Sequence, residues 1–274
     1  MGVLNVTPDS FSDAGSFSTT AEALDAAGRM ALAGADIVDV GGESTRPGAV
    51  PVDADEEAMR ILPVIEGIKK RHRVRISVDT RKAAVAARAV DAGADMINDV
   101  SGLADPGMID VARRSDVPVV VMHMKGTPQT MQRATHYHDI VAEVVDYLRR
   151  RIELAVEGGL SGDKIIVDPG IGFGKSATGN LTLLERIPAL AAVGRPILVG
   201  ASRKSFIGNL LNLPVGERLE PSLAVAAYAA SRGVHVIRAH DVAATVRTVR
   251  MIDAIRDASG IEQPSDLRGH TTTN

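Results

Sequence analysis

The strongest constraint on this 274-residue chain is a repeat of eight short β-branched runs, at residues 3–6, 36–40, 74–78, 95–98, 118–122, 164–167, 196–199 and 234–238. From Val3 in the first run to Val236 in the last, the mean spacing is about 33 residues, enough for a strand, a helix and two loops. Each run is bounded by Gly, Pro, Asp or Asn and is nearly all apolar rather than alternating. Such runs suit strands buried on both faces of a parallel sheet. The stretches between them predict helices at residues 20–33, 53–70, 82–92, 106–114, 139–157, 180–193, 221–232 and 241–258. Gly34, Gly93 and Gly158 stand where helix C-caps are needed. Eight such units predict a single α/β domain, a (β/α)8 TIM barrel over residues 1–258. A doubly wound open sheet is the alternative with the same periodicity. Residues 259–274 are polar and predict a disordered tail.

Composition narrows the function classes. The chain has no cysteine, which excludes a disulfide scaffold, a thiolate metal site and a thiol nucleophile. A net charge of −3 and only seven aromatic residues, with no tryptophan, argue against a nucleic-acid surface. No apolar run is long enough for a membrane helix, and the start carries no secretory pattern. A cytoplasmic protein with neither membrane nor nucleic-acid partners is expected.

A barrel carries its active site at the C-terminal ends of its strands, and every run here ends in polar residues. They are Asn5 and residues 7–13, residues 41–48, Asp79 to Arg81, Asn98 and Asp99, His123, Asp168, residues 202–205, and Arg238 with His240 and Asp241. Asp79, Asn98 and Asp168 come from three strands and can point inward, where their acceptors suit a flat, amine-rich heterocycle. Arg46, Lys204, Arg238 and His240 supply positive charge, and Asn5 and the Gly-rich backbone add donors. That set suits a phosphate or pyrophosphate.

Two tempting motifs fail. Residues 170–176 read GIGFGKS, but Pro169 stands where the phosphate-loop spacing needs glycine, and Lys175 breaks the dinucleotide pattern. His136 and His138 have no third metal ligand at useful spacing and read as exposed loop residues. Met122, Met124 and Met131 read as packing residues, with Met122 at a strand end where it can touch a ligand.

Taken together, residues 5–13 (NVTPDSFSD), 39–48 (DVGGESTRPG), 77–80 (SVDT), 97–102 (INDVSG), 122–124 (MHM), 168–175 (DPGIGFGK), 200–205 (GASRKS) and 238–241 (RAHD) closely resemble the dihydropteroate synthase family. These are pterin-binding transferases of folate biosynthesis. The resemblance implies a TIM barrel that joins para-aminobenzoate to 6-hydroxymethyl-7,8-dihydropterin pyrophosphate, giving 7,8-dihydropteroate and pyrophosphate. It implies that Asp79, Asn98, Asp168 and Lys204 hold the pterin, with Met122 nearby and Arg238 over its face. Asn5, Arg238 and His240 would bind the pyrophosphate, and Asn5 would also reach Mg²⁺. Phe11, Thr45, Arg46, Pro47, Lys204 and Ser205 would shape the para-aminobenzoate site. Asp13 would act from a loop that closes over the substrates. A homodimer and binding of sulfonamides, which imitate para-aminobenzoate, are implied as well. One departure is that the family carries more residues before its Asn-Val-Thr segment, which puts the barrel floor in question. Two other readings stay open: a pterin-binding methyltransferase of the methyltetrahydrofolate:corrinoid kind, and a non-catalytic pterin-binding paralogue.

Overall fold

Each apolar run forms a strand in the computed structural model, which describes residues 1–7, 19–46, 48–133 and 135–258. The strands are β1 (Gly2–Asn5), β2 (Ile37–Gly41), β3 (Arg75–Asp79), β4 (Met96–Asp99), β5 (Val119–Met122), β6 (Ile165–Asp168), β7 (Leu198–Val199) and β8 (Val236–Ile237). Strands β1 to β6 pair in chain order, and β7 pairs with β8, all in parallel. Single parallel bridges join the two ladders, from Val167 to Ile197 and from Gly2 to Ala239. Backbone hydrogen bonds seal both seams: Val167 donates to Pro196 at 2.9 Å and Val3 to Ala239 at 3.0 Å. The sheet therefore closes into a barrel, and the open-sheet alternative falls. Several strands run one residue past the expected end, β3 to Asp79 and β6 to Asp168, because the polar residue that ends the run still makes a ladder pair.

The helices are α1 (Thr20–Leu32), α2 (Ala54–Arg71), α3 (Ala83–Asp91), α4 (Gly107–Ser115), α5 (Ile140–Glu157), α6 (Ala177–Glu185), α7 (Ile187–Leu190), α8 (Ser205–Leu211), α9 (Leu219–Ser231) and α10 (Val242–Asp257). The single helix expected over 180–193 is two. Ser176 starts α6 early by accepting a hydrogen bond from Gly179 N. Pro188 then lacks the N–H that would continue it, so the chain restarts as α7. The short α8 has no counterpart in the sequence expectation. The predicted tail, residues 259–274, lies outside the described residues. Asp139 caps α5, accepting from Val141 N at 3.0 Å and Ala142 N at 3.1 Å. Asp139→Ala is expected to cost about 1 kcal/mol, read as a lower urea midpoint with unchanged activity.

Two apolar clusters divide the interior. The larger lies between barrel and helices and includes Leu4, Val38, Ile61, Ile65, Ile76 and Ile97. The smaller contains Ile37, Met96, Val120 and Leu198, packed with Met1, Ile166 and Val236. Strand register shows that the second cluster fills the barrel itself. Neighbours in a ladder point to the same face, and faces alternate along a strand. Met96 pairs with Ser77, and Val120 with both Asn98 and Ile166. Stepping two residues on from Ile37, Met96, Ile166 and Val236 reaches Asp39, Asn98, Asp168 and Arg238 on the same inner face. The barrel is thus a cup with an apolar floor and polar walls above it.

Candidate active site

The inner face explains which strand-end residues meet. Gly41 pairs with Asp79, Asp79 with Asn98, and Met122 with Asp168. Gly200 backs the other side: a Cβ built on it would stand 3.5 Å from the Arg238 Cβ. The Asn5 Oδ1 lies over Gly41, 3.7 Å from where a Cβ would sit there. Asn5, Asp79, Asn98, Met122, Asp168 and Arg238 therefore converge on the mouth of one cup.

Arg238 organises it. Its Nε donates to Asp39 Oδ2 at 2.6 Å and its terminal nitrogen to Asp79 Oδ2 at 2.7 Å. Asn98 Nδ2 also donates to Asp39 Oδ2, at 2.9 Å. Asp39 is fully buried, and sequence reading passed over it as part of the β2 run. A carboxylate inside an all-apolar strand is the signal that marks it. Two carboxylates share one guanidinium, and the Oδ1 atoms of both Asp39 and Asp79 have no hydrogen-bond partner among the described residues. Burial pushes the Asp79 carboxyl up to about 7, against the opposing pull of Arg238. Asp168 is also raised by burial, opposed by Lys204 and by the Gly170 N–H, which donates to it at 2.7 Å. Burial works against the Arg238 charge, but Asp39 and Asp79 outweigh it and hold the guanidinium firmly protonated.

The cations differ from the sequence expectation in one respect. Lys204, pulled down to about 8 by burial, still carries its proton at neutral pH. It donates to Ile171 O and lies 4.3 Å from the centre of the Phe173 ring. His240 was expected to add positive charge. Burial, with Arg238 and Arg203 beside it, pulls its imidazole down to about 4, so it is neutral in the ligand-free protein. Its Nδ1 is 3.2 Å from Ser202 Oγ. Arg203, at φ 58°, grips Asp241 at 2.8 and 2.6 Å. That ties the loop after β7 to the loop after β8.

The loop after β2 is anchored at its base. Buried Glu43 accepts from Arg81 Nε at 3.1 Å and from Lys82 Nζ, which also reaches buried Glu57. Thr45 is half-buried and Arg46 exposed beyond this anchor, and Ser205 is exposed at the start of α8. Phe11, Asp13 and Pro47 lie outside the described residues. His136 and His138 are exposed. Among the described residues, no group of three or more His, Cys, Asp or Glu is arranged to hold a metal ion.

Residues 1–240 match the pterin binding enzyme family. The chain belongs to that family. The dihydropteroate synthase of Escherichia coli K12 is 47% identical over 258 residues, covering 94% of this chain and 92% of that protein. A crystal structure of Yersinia pestis dihydropteroate synthase with a sulfonamide drug complex superposes with a TM-score of 0.91 at 44% identity, covering 94% of both chains. The Xanthomonas albilineans dihydropteroate synthase with 4-aminobenzoic acid gives 0.87 at 46% identity, over 93% of this chain and 92% of that one. Within its family, the chain falls among the dihydropteroate synthases.

Proposed function

We propose that the cup divides the dihydropteroate synthase reaction among its residues as follows. The enzyme transfers the pterin-methyl group of 6-hydroxymethyl-7,8-dihydropterin pyrophosphate to para-aminobenzoate. The methylene carbon–oxygen bond breaks, pyrophosphate leaves with the bonding electrons, and the aryl amine forms the new carbon–nitrogen bond and loses a proton. Asp79, Asn98 and Asp168 receive the pterin ring's N–H groups, and Lys204 donates to its acceptors, with Met122 against the ring. The observation that carries this reading is the buried Asp39–Arg238–Asp79 arrangement, in which Asp79 Oδ1 has no hydrogen-bond partner among the described residues, an acceptor that a ligand N–H would satisfy.

Arg238 lies at the rim above the same carboxylates, where its charge bears on both the ring and the leaving group. Charge that develops on the departing oxygen is met by preorganised donors from Arg238, His240 and Asn5. The neutral His240 can donate one N–H without the cost of bringing a second buried cation beside Arg238. The amine supplies the nucleophile, so no side chain needs to form a covalent intermediate. Thr45, Arg46 and Ser205, with Phe11 and Pro47, would form the para-aminobenzoate side, and Asp13 would act from the loop after β1.

Asn5 fits a Mg²⁺ role because its amide oxygen stands over Gly41 at the C-terminal end of β1. Mg²⁺ asks for one or two protein oxygens when phosphates and waters complete its shell. Bound there with the substrate, Mg²⁺ would neutralise charge on the pyrophosphate. Exposed Tyr228 on α9, with exposed Met251 and Ile255 on α10, supports a homodimer through these helices. No helix among the described residues is long and apolar enough to cross a membrane; a cytoplasmic location is proposed from the folate-pathway activity. The test is pyrophosphate release by the purified protein. It should require Mg²⁺ and both substrates and fall when a sulfonamide competes with para-aminobenzoate. Pterin binding without turnover would refute the assignment.

A further inference from the structure

One buried cation lies outside the roles assigned above. Lys175 is 4% exposed, and its ammonium is enclosed by the protein, with the Asp168 carboxylate and Lys204 close enough to act on its charge. Nζ lies 2.9 Å from each of His123 Nδ1, Gly170 O and Phe173 O, with His123 O more distant at 3.3 Å. An ammonium has three N–H donors, and three acceptors stand at the short distance. His123 is held neutral, its imidazole pulled down to about 3 by burial and then by Lys175. Its Nδ1 is therefore free to accept. The His123 ring is wedged edge-on against Tyr147, 4.8 Å between centres. The cation thus ties the end of β5 to the loop between β6 and α6.

That loop touches Lys204 at three consecutive residues. Ile171 O accepts from Lys204 Nζ, and the Phe173 ring lies 4.3 Å below the same atom. Between them Gly172 packs so closely that a Cβ there would come within 2.7 Å of Lys204 Cδ. All three lie between Gly170 and Lys175, the segment whose carbonyls surround the buried ammonium. Gly170 itself, at φ 69°, sits hard against His123, since a Cβ there would be 1.9 Å from His123 O. The loop can be this close only without a side chain at that position. Keeping a lysine charge buried is costly, and burial pulls its pKa down to about 7. The Asp168 charge opposes that pull, and the acceptors around Nζ offset part of the cost.

We propose that Lys175 is a positioning residue for Lys204: its buried ammonium fixes the carbonyl and ring that hold the Lys204 side chain at the pterin site. The GIGFGKS segment thus resembles a phosphate loop while working inside out, its lysine turned inward to shape its own backbone. The proposal rests on the reading that Lys204 contacts the pterin.

The test is a double-mutant cycle on affinity for a stable hydroxymethylpterin, measured by calorimetry on the full chain. Lys175→Met preserves the apolar stem and removes the donors. It should weaken pterin binding roughly tenfold, about the effect of losing one charged hydrogen bond. Lys204→Ala should weaken it at least as much. If Lys175 acts through Lys204, adding Lys175→Met to Lys204→Ala changes affinity by less than about twofold. Losses that multiply would overturn the positioning role and leave the pterin site standing. An unchanged affinity in Lys204→Ala would instead sink the pterin reading itself. Should Lys175→Met fail to fold, His123→Phe keeps the ring packing and removes one acceptor. The same cycle applies to it, with coupling expected and multiplicative losses again overturning the role.

Discussion

Replacing Arg238 with alanine is expected to destabilise the ligand-free protein by about 3–5 kcal/mol and to lower kcat/KM by at least ~30-fold, about 2 kcal/mol of lost transition-state stabilisation. The first effect follows from its neighbours. Asp39 and Asp79 both direct an oxygen at this one guanidinium, and both are buried. Without it, two carboxylates stand uncompensated on the inner wall. Urea unfolding measures that loss. Adding Asp39→Asn to Arg238→Ala removes one of the stranded charges and should recover part of the stability. Turnover should stay low, because the donors aimed at the leaving group are still missing. An unfolding midpoint equal to wild type would contradict the shared-guanidinium account, and a wild-type rate would remove Arg238 from the anion site.

Asp79→Asn separates binding from folding in the opposite direction. Pterin affinity is expected to fall by tenfold or more, the effect of losing one charged hydrogen bond at ~1.5–3 kcal/mol. An amide has one acceptor. If it keeps Arg238, the NH₂ turns toward the ligand's own N–H. Stability should hold or rise, because the carboxylate is a burden to the ligand-free fold. The sign follows from its proton. Burial raises the Asp79 pKa from 3.8 to about 7. Between those values the folded protein holds a proton that the unfolded chain has released. Its contribution is therefore present below the unfolded value and lost as pH climbs toward 7. Unfolding curves at pH 5 and pH 8 should show the variant gaining on wild type at the higher pH. Equal pterin affinity in the two proteins would remove Asp79 from the site.

Much of this site could be read from the residues because a barrel ties position along the chain to position in space. Asp79, Asn98 and Asp168 each close an apolar run, and a closed sheet must bring such ends to one rim. Contacts across the seams were harder to foresee. Arg238 and Asp39 are 199 residues apart, and no local pattern pairs them. Asp39 itself was hidden because a run dense in Ile and Val reads as structure even with a carboxylate inside it. His240 was misjudged in charge because residue type gives only the reference pKa, while burial beside two arginines sets the actual one. The division of the 180–193 stretch was signalled by Pro188, but apolar spacing carried smoothly across it. Lys175 could be excluded from nucleotide binding by spacing alone. What it does instead depends on where its ammonium turns, which spacing does not specify.

The apolar floor made by Met1, Ile37, Met96, Val120, Ile166, Leu198 and Val236 has a kinetic meaning. Among the described residues it closes the end of the cup opposite the polar rim. On the proposed assignment the pterin occupies the deep end, against Asp79 and Asn98, and para-aminobenzoate sits nearer the rim. Traffic through a dead-end passage is a queue. The pterin pyrophosphate must arrive before its partner, and an aryl amine that enters first blocks the way. High para-aminobenzoate should therefore slow the enzyme when the pterin is scarce.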